Sequence, residues 1–167
     1  MDISIRQAGP GDADTVSSIL VEAASWLVER GTPMWRADEL SGDRIGNDVN
    51  AGLFFLAEAD ETAAGAIKFQ LSDPVFWPDM RGDDSAYVHR LAVRRSFAGG
   101  TASATLLSWA VQRTATLGRP FLRLDCEASR AKLRTLYERL GFKHHSNRQV
   151  GPYAVARYQL AIKAVPT

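Results

Sequence analysis

The sequence predicts a mixed α/β domain of the α+β kind, with helix-crossed parallel strands only in its second half. Short stretches of alternating apolar and polar residues, bounded by Gly, Pro and Asp, read as strands. Longer stretches with apolar residues three and four apart read as helices. The apolar run Tyr87–Val93 leads through Gly99-Gly100 into the helix-patterned Thr101–Leu117, and a further strand, Phe121–Cys126, follows. That last order is the one a parallel pair with a helical crossover requires.

Taken in order, Asp2–Ala8 alternates like a strand until Gly9-Pro-Gly-Asp12 breaks it. A helix follows with Val16, Ile19, Leu20, Ala23 and Leu27 on its apolar side, ending at Gly31-Thr-Pro33. Trp26 is assigned to that helix's core face. A weaker helix lies within Ala37–Val49. Leu53–Ala59 and Ala64–Leu71 form a hairpin across Asp60-Glu-Thr62, and Asp73–Asp84 is a Pro-, Gly- and Asp-rich loop. After the Thr101 helix, Gly118-Arg-Pro120 turns the chain into Phe121–Cys126, and Lys132–Leu140 is a short helix stopped by Gly141. Gly141-Phe142 opens another strand, and Val150–Ile162 closes the sheet.

The chain has 167 residues, 46% of them hydrophobic and 23% charged, which suits one domain spanning 1–167. A net charge of +1 argues against nucleic acid or an anionic membrane as main partner. An acid at position 2, the lack of an export-type apolar segment and the lack of 18 uninterrupted apolar residues predict an unexported, cytoplasmic protein. Cys126, the single cysteine, lies in an apolar strand and reads as an inert reduced thiol. His144 and His145 have no metal-ligand companion at useful spacing, and no metal is expected.

A strand that feeds a helix through glycines aims unpaired N–H groups and the positive end of the helix dipole at the turn, a setting for phosphate. The plainer reading is a flexible turn with Thr101 or Ser103 as N-cap. A dinucleotide fold would place its glycine fingerprint in the first turn, where Asp14 stands at the third glycine position of Gly9-Pro-Gly-Asp-Ala-Asp14.

Leu91-Ala-Val93 before the glycine turn, with Leu124-Asp-Cys126, Leu133 and Tyr137-Glu-Arg-Leu-Gly-Phe142 at family spacing, resembles the GNAT N-acetyltransferase superfamily over essentially the whole chain. The resemblance implies a central, mostly antiparallel sheet with a parallel, splayed strand pair and about four flanking helices. It also implies transfer of an acetyl group from acetyl-CoA to an amine by direct attack, on a small-molecule or peptide acceptor. Dimers are common in the family, and the sequence carries no oligomer signature of its own.

One departure is plain. The family's pyrophosphate loop reads Arg/Gln-x-x-Gly-x-Gly/Ala, whereas here Ala98 stands at the Arg/Gln position, Thr101 at the first required glycine and Ser103 at the last small residue. Backbone N–H groups of Ala98, Gly99, Gly100, Thr101, Ala102 and Ser103 can still form an anion cradle. Arg94, Arg95 and Arg139 are candidates for the missing charge. The alternative to an enzyme is a non-catalytic GNAT-like module that binds acyl-CoA; a general nucleotide-binding α/β domain is a third reading.

The resemblance assigns Leu91, Ala92 and Val93 to the strand that offers backbone to the pantetheine arm. It assigns Tyr137 to protonation of the departing thiolate, against a plain core role. The family often carries a carboxylate near the place of Tyr87, and no acid occurs there. On the two-residue period Tyr87, His89, Leu91 and Val93 share a face, which makes His89 the substitute base, directly or through water, or else a strand histidine paired with a neighbour. The resemblance places Trp35, Phe76, Trp77 and Tyr87 around the acceptor, with core packing the other reading of Trp35, Phe76 and Trp77. Asp83, Asp84 and Glu127 lie at strand ends where an amine could arrive, against the plainer reading of solvated loop carboxylates.

Overall fold

The computed structural model describes residues 2–163. The strands are β1 (Ile3–Gln7), β2 (Phe54–Ala59), β3 (Thr62–Gln70), β4 (Ser85–Val93), β5 (Phe121–Glu127), β6 (Lys143–Val150) and β7 (Tyr153–Ala161). The α-helices are α1 (Ala13–Glu29), α2 (Gly42–Asn50), α3 (Ala102–Thr116) and α4 (Ala131–Arg139). The strand order is β1-β2-β3-β4-β5-β7-β6, with β4 and β5 parallel. The expected mixed sheet with four helices is thus the observed fold. No helix among the described residues is long and apolar enough to cross a membrane.

Two compact units divide the chain, Met1–Phe69 with Arg90–Trp109 and Gln70–His89 with Ala110–Thr167. In the first, Val16, Ile19 and Leu20 of α1 and Ile45 and Val49 of α2 bury against Phe54 and Leu56 of β2. Phe55 instead packs on Phe69 and Trp109, since neighbouring strand residues face opposite ways. Asp12 ends the turn before α1: its carboxylate accepts the Gly9 N–H at 2.8 Å and grips Arg6 through two 2.8 Å contacts. Ser41 caps α2 by accepting the Arg44 N–H. The region expected as one weak helix is a 3₁₀ turn, Ala37–Leu40, followed by α2.

The β2–β3 hairpin turns on two residues, Asp60 and Glu61, both with positive φ (48° and 64°). This is the backbone of a tight primed turn, so β3 begins at Thr62 rather than at Ala64. In the second unit β5 and β7 pair antiparallel along seven positions from Phe121↔Ala161 to Glu127↔Val155. Gly151 and Pro152 separate β6 from β7, so Val150 closes β6 and Tyr153 opens β7. Leu122 and Leu124 of β5 are buried, and the alternate positions Arg123 and Asp125 turn polar groups toward the opposite face.

Candidate active site

The β4–β5 ladder pairs Ser85↔Phe121, Ala86↔Leu122 and Tyr87↔Arg123, and both strands continue beyond it. His89 and Asp125 each stand two residues past the last pair, on the face that carries Tyr87 and Arg123. That register brings His89 Nδ1 to 4.0 Å from Asp125 Oδ2. A third group comes from the β3–β4 loop: Asp73 Oδ2 lies 2.6 Å from His89 Nε2. The Asp73 side chain is 2% exposed, that of Asp125 7% and that of His89 16%, so the imidazole alone keeps appreciable surface.

Asp73 is fixed by its own loop. Oδ1 accepts the Phe76 N–H at 3.0 Å and the backbone carbonyl accepts the Trp77 N–H at 3.0 Å. Burial pushes its carboxyl pKa up, but the hydrogen bond and charge of His89, with the Phe76 and Val75 N–H groups, outweigh this and hold it below the ordinary value. Asp125 goes the other way. Burial raises its pKa, the charge of Asp73 adds to the rise, and the attraction of His89 with the Trp77 Nε1 bond at 3.3 Å only partly offsets it. Ligand atoms of Asp73, His89 and Asp125 all lie within 4.8 Å of one another, a set that could close on a cation. At 2.6 Å, however, Nε2 and Oδ2 stand at a hydrogen-bond separation, nearer than the roughly 3.3 Å between two donors sharing one tetrahedral ion with bonds of about 2 Å.

Trp77 forms the floor beneath this group. Its ring lies under the guanidinium groups of Arg157, at 4.6 Å, and Arg123, at 5.1 Å. Arg123 also donates to the Tyr87 hydroxyl at 3.1 Å and pairs with Asp84 at 3.3 Å. Trp77 and Tyr87, expected to touch the acceptor, are 2% and 1% exposed and have next to no surface to offer a ligand; they brace the polar face from below. Phe76 instead packs on His89, ring centres 5.4 Å apart. Asp83 pairs with Arg81, and Glu127 with Arg130.

Tyr137 is half-buried on α4, 6.1 Å from the rings of both Phe142 and Tyr158. Burial, then the charges of Cys126 and Asp125, raise its hydroxyl pKa, so the proton stays on at neutral pH. Burial likewise pushes the Cys126 thiol up to about 11, with help from Asp125.

In the first unit, Arg90 has φ 54° in the middle of β4. A left-handed residue interrupts strand alternation, so the single face expected for Tyr87, His89, Leu91 and Val93 ends at His89. Arg90 itself reaches Glu39 at 3.2 Å and covers Trp35, which packs at the edge of the apolar core. After Val93 the chain makes tight turns: Ala98 N–H bonds Arg95 O, and Gly100 N–H bonds Phe97 O. Gly99 takes φ 80°, and α3 begins at Ala102. Two of the expected cradle donors, Ala98 and Gly100, are therefore engaged within the loop. Gly99, Thr101, Ala102 and Ser103 stand at the helix start, where the first N–H groups have no partner inside the helix. Arg94 is tied to Ala63 O and Ser18 Oγ. Arg95 stacks 3.7 Å over Trp26, which also carries Arg30 at 4.7 Å; Trp26 is thus a half-exposed ring between cations, not a core residue.

Neither Asp73 nor Asp125 is among the residues that the sequence alone marks for a role. Asp125 had a signal, a polar position alternating with Leu122, Leu124 and Cys126 on a central strand. Asp73 had none, since its place depends on the path of a long loop.

A strand–glycine–helix crossover between the parallel β4 and β5, followed by a helix that carries Tyr137, is the arrangement the resemblance to acyl-CoA transferases implies. Residues 20–142 match the model of the acetyltransferase (GNAT) family, and the chain belongs to that family. It is 32% identical over 139 residues to YesJ, an uncharacterized N-acetyltransferase of Bacillus subtilis (strain 168), covering 79% of this chain and 77% of the relative. A GNAT-family acetyltransferase structure from Listeria monocytogenes 4b F2365 superposes with TM-score 0.81 at 28% identity, over 96% of this chain and 95% of that one. The paia N-acetyltransferase of Thermoplasma acidophilum, solved with coenzyme A, shares the fold with TM-score 0.72 at 19% identity, over 94% and 98%.

Proposed function

We propose that this acetyltransferase moves the acetyl group of acetyl-CoA to a primary amine of a small-molecule or peptide acceptor by direct attack. The observation that carries the reading is the imidazole of His89, two residues past the parallel Tyr87↔Arg123 pair and the most exposed group of its cluster with Asp73 and Asp125. Acetyl-CoA supplies the thioester; the rest falls to this chain's residues.

The N–H groups of Gly99, Thr101, Ala102 and Ser103 hold the diphosphate at the positive end of α3. Leu91, Ala92 and Val93 lend backbone to the pantetheine arm, as in the family, and Trp35 is assigned to the acceptor side. His89 takes a proton from the attacking nitrogen, so that nitrogen forms its bond to the carbonyl carbon while the carbon–sulfur bond breaks. The Tyr137 hydroxyl, kept protonated by burial, gives its proton to the departing sulfur. The raised Cys126 thiol is a poor nucleophile at neutral pH, which favours direct transfer over an acyl-cysteine.

The test is thiol release from acetyl-CoA against a panel of polyamines, amino acids, aminoglycosides and peptides, alongside calorimetry with CoA. Turnover on at least one amine, lost in H89Q, is the expected result. Tight CoA binding with no turnover on any amine would leave a binding module instead.

A further inference from the structure

We propose that Asp73 is a positioning residue for the transfer: its carboxylate fixes the His89 ring and makes Nδ1 the nitrogen that accepts the amine's proton. The inference rests on the assignment of His89 as base and adds the group that aims it.

The geometry leaves Asp73 little freedom. One oxygen is held by the Phe76 N–H and the backbone carbonyl by the Trp77 N–H, while the side chain is 2% exposed. The other oxygen meets His89 Nε2 at 2.6 Å. An ionised carboxylate can only accept, so Nε2 must be the donor, and in the neutral ring the lone pair then belongs to Nδ1. Phe76, 5.4 Å from the imidazole centre, limits rotation of the ring.

Proton uptake puts a positive charge in a site with little water, which burial alone would oppose. Two carboxylates face that charge: Asp73 from the β3–β4 loop through the direct bond, and Asp125 from β5 at 4.0 Å. Arg157 of β7 acts against it by drawing on Asp125, and Arg123 and His145 lie behind, against Trp77. Trp77 Nε1 holds Asp125 to its side of the ring. The arrangement is a carboxylate–imidazole pair with a second carboxylate facing the proton-accepting edge.

The deciding experiment is ¹⁵N NMR of the His89 ring in the whole protein, paired with rate–pH profiles of wild type and D73N. The expected wild-type spectrum is that of the Nε2–H tautomer. In D73N, kcat falls at least about tenfold, KM for acetyl-CoA holds, and the acidic limb of the kcat profile and the His89 NMR midpoint both move about one pH unit lower. An Nδ1–H tautomer in wild type, or a slower D73N whose limb and midpoint coincide with those of wild type, would overturn the proposal. If D73N does not fold, the wild-type tautomer still decides. H89Q separates the two ideas: full activity there removes the base itself, whereas an inactive H89Q with the wrong tautomer in wild type removes only the role of Asp73.

Discussion

Arg157 closes on Asp79 through two contacts, Nη1–Oδ1 at 2.7 Å and Nη2–Oδ2 at 3.1 Å, while its guanidinium also donates to Phe76 O and lies over the Trp77 ring. The arginine is 3% exposed and the aspartate 40%, so the cation is the partner that depends on the pair. D79N leaves a buried charge half-neutralised beneath the site, and a stability loss of about 1–2 kcal/mol is expected at pH 7 in urea melts. Arg157 draws the Asp79 pKa from 3.8 to about 2, so the pair's contribution is complete above pH 4 and fades as pH falls toward 2. Solvent screening keeps that pH-dependent part below about 1 kcal/mol. The gap between wild type and D79N should narrow between pH 4 and pH 2; a constant gap would assign the loss to packing alone.

Gly65 of β3 has no room for a side chain, because an added Cβ would come within 2.8 Å of Ala92 O and 3.1 Å of Leu106 Cδ1. A backbone oxygen cannot swing aside, so G65A should destabilise by about 2 kcal/mol. Gly46 in α2 has open space around it, and G46A should stabilise by about 0.5–1 kcal/mol through helix propensity. Thermal melts of the two variants should therefore shift in opposite directions; a neutral G65A would mean that β3 and Ala92 can move apart.

The element order was readable because helical and strand periods are local, and Tyr87–Val93, Thr101–Leu117 and Phe121–Cys126 stand within two residues of the observed β4, α3 and β5. Local pattern could not reveal the left-handed Arg90, since nothing in an arginine side chain announces positive φ. It also misassigned Trp26, whose helical spacing suits a core but whose neighbours in space are Arg30 and Arg95. The placements of Trp77 and Tyr87 depend on two arginines far along the chain, and the partner of His89 arrives from a loop sixteen residues away.

Tyr137 is expected to act on the leaving group alone. Y137F keeps the ring against Phe142 and Tyr158 and removes only the hydroxyl, so folding and CoA affinity should hold while kcat drops about ten- to a hundredfold. Steady-state kinetics with CoA titrations read both quantities. An unchanged kcat would remove the hydroxyl from the chemistry.

Cys126 should be dispensable. With its thiol held up to about 11 and 9% of the residue exposed, it should alkylate slowly at pH 7, and C126A should keep its turnover number within about twofold. Mass spectrometry of wild type mixed with acetyl-CoA should find no acetylated cysteine. A stable adduct at Cys126 whose loss in C126A stops turnover would replace direct attack with a two-step route.

The loop before α3 offers the sharpest test of where the diphosphate sits. Ala98 is exposed and takes φ −65° and ψ 141°, a conformation open to any ordinary residue, so A98R adds a cation without straining the turn. An arginine there can pair with an anion held at the start of α3, and a charge-assisted contact of about 1 kcal/mol tightens binding roughly fivefold. CoA affinity by calorimetry should rise by that factor and KM for acetyl-CoA should fall, with kcat unchanged. Because the added contact is exposed, the gain should shrink as ionic strength climbs toward 1 M. T101G tests the same cradle through the backbone, since it restores the glycine that lets a phosphate approach closely. If neither variant changes CoA affinity at low salt, the diphosphate is not held by the N-terminus of α3.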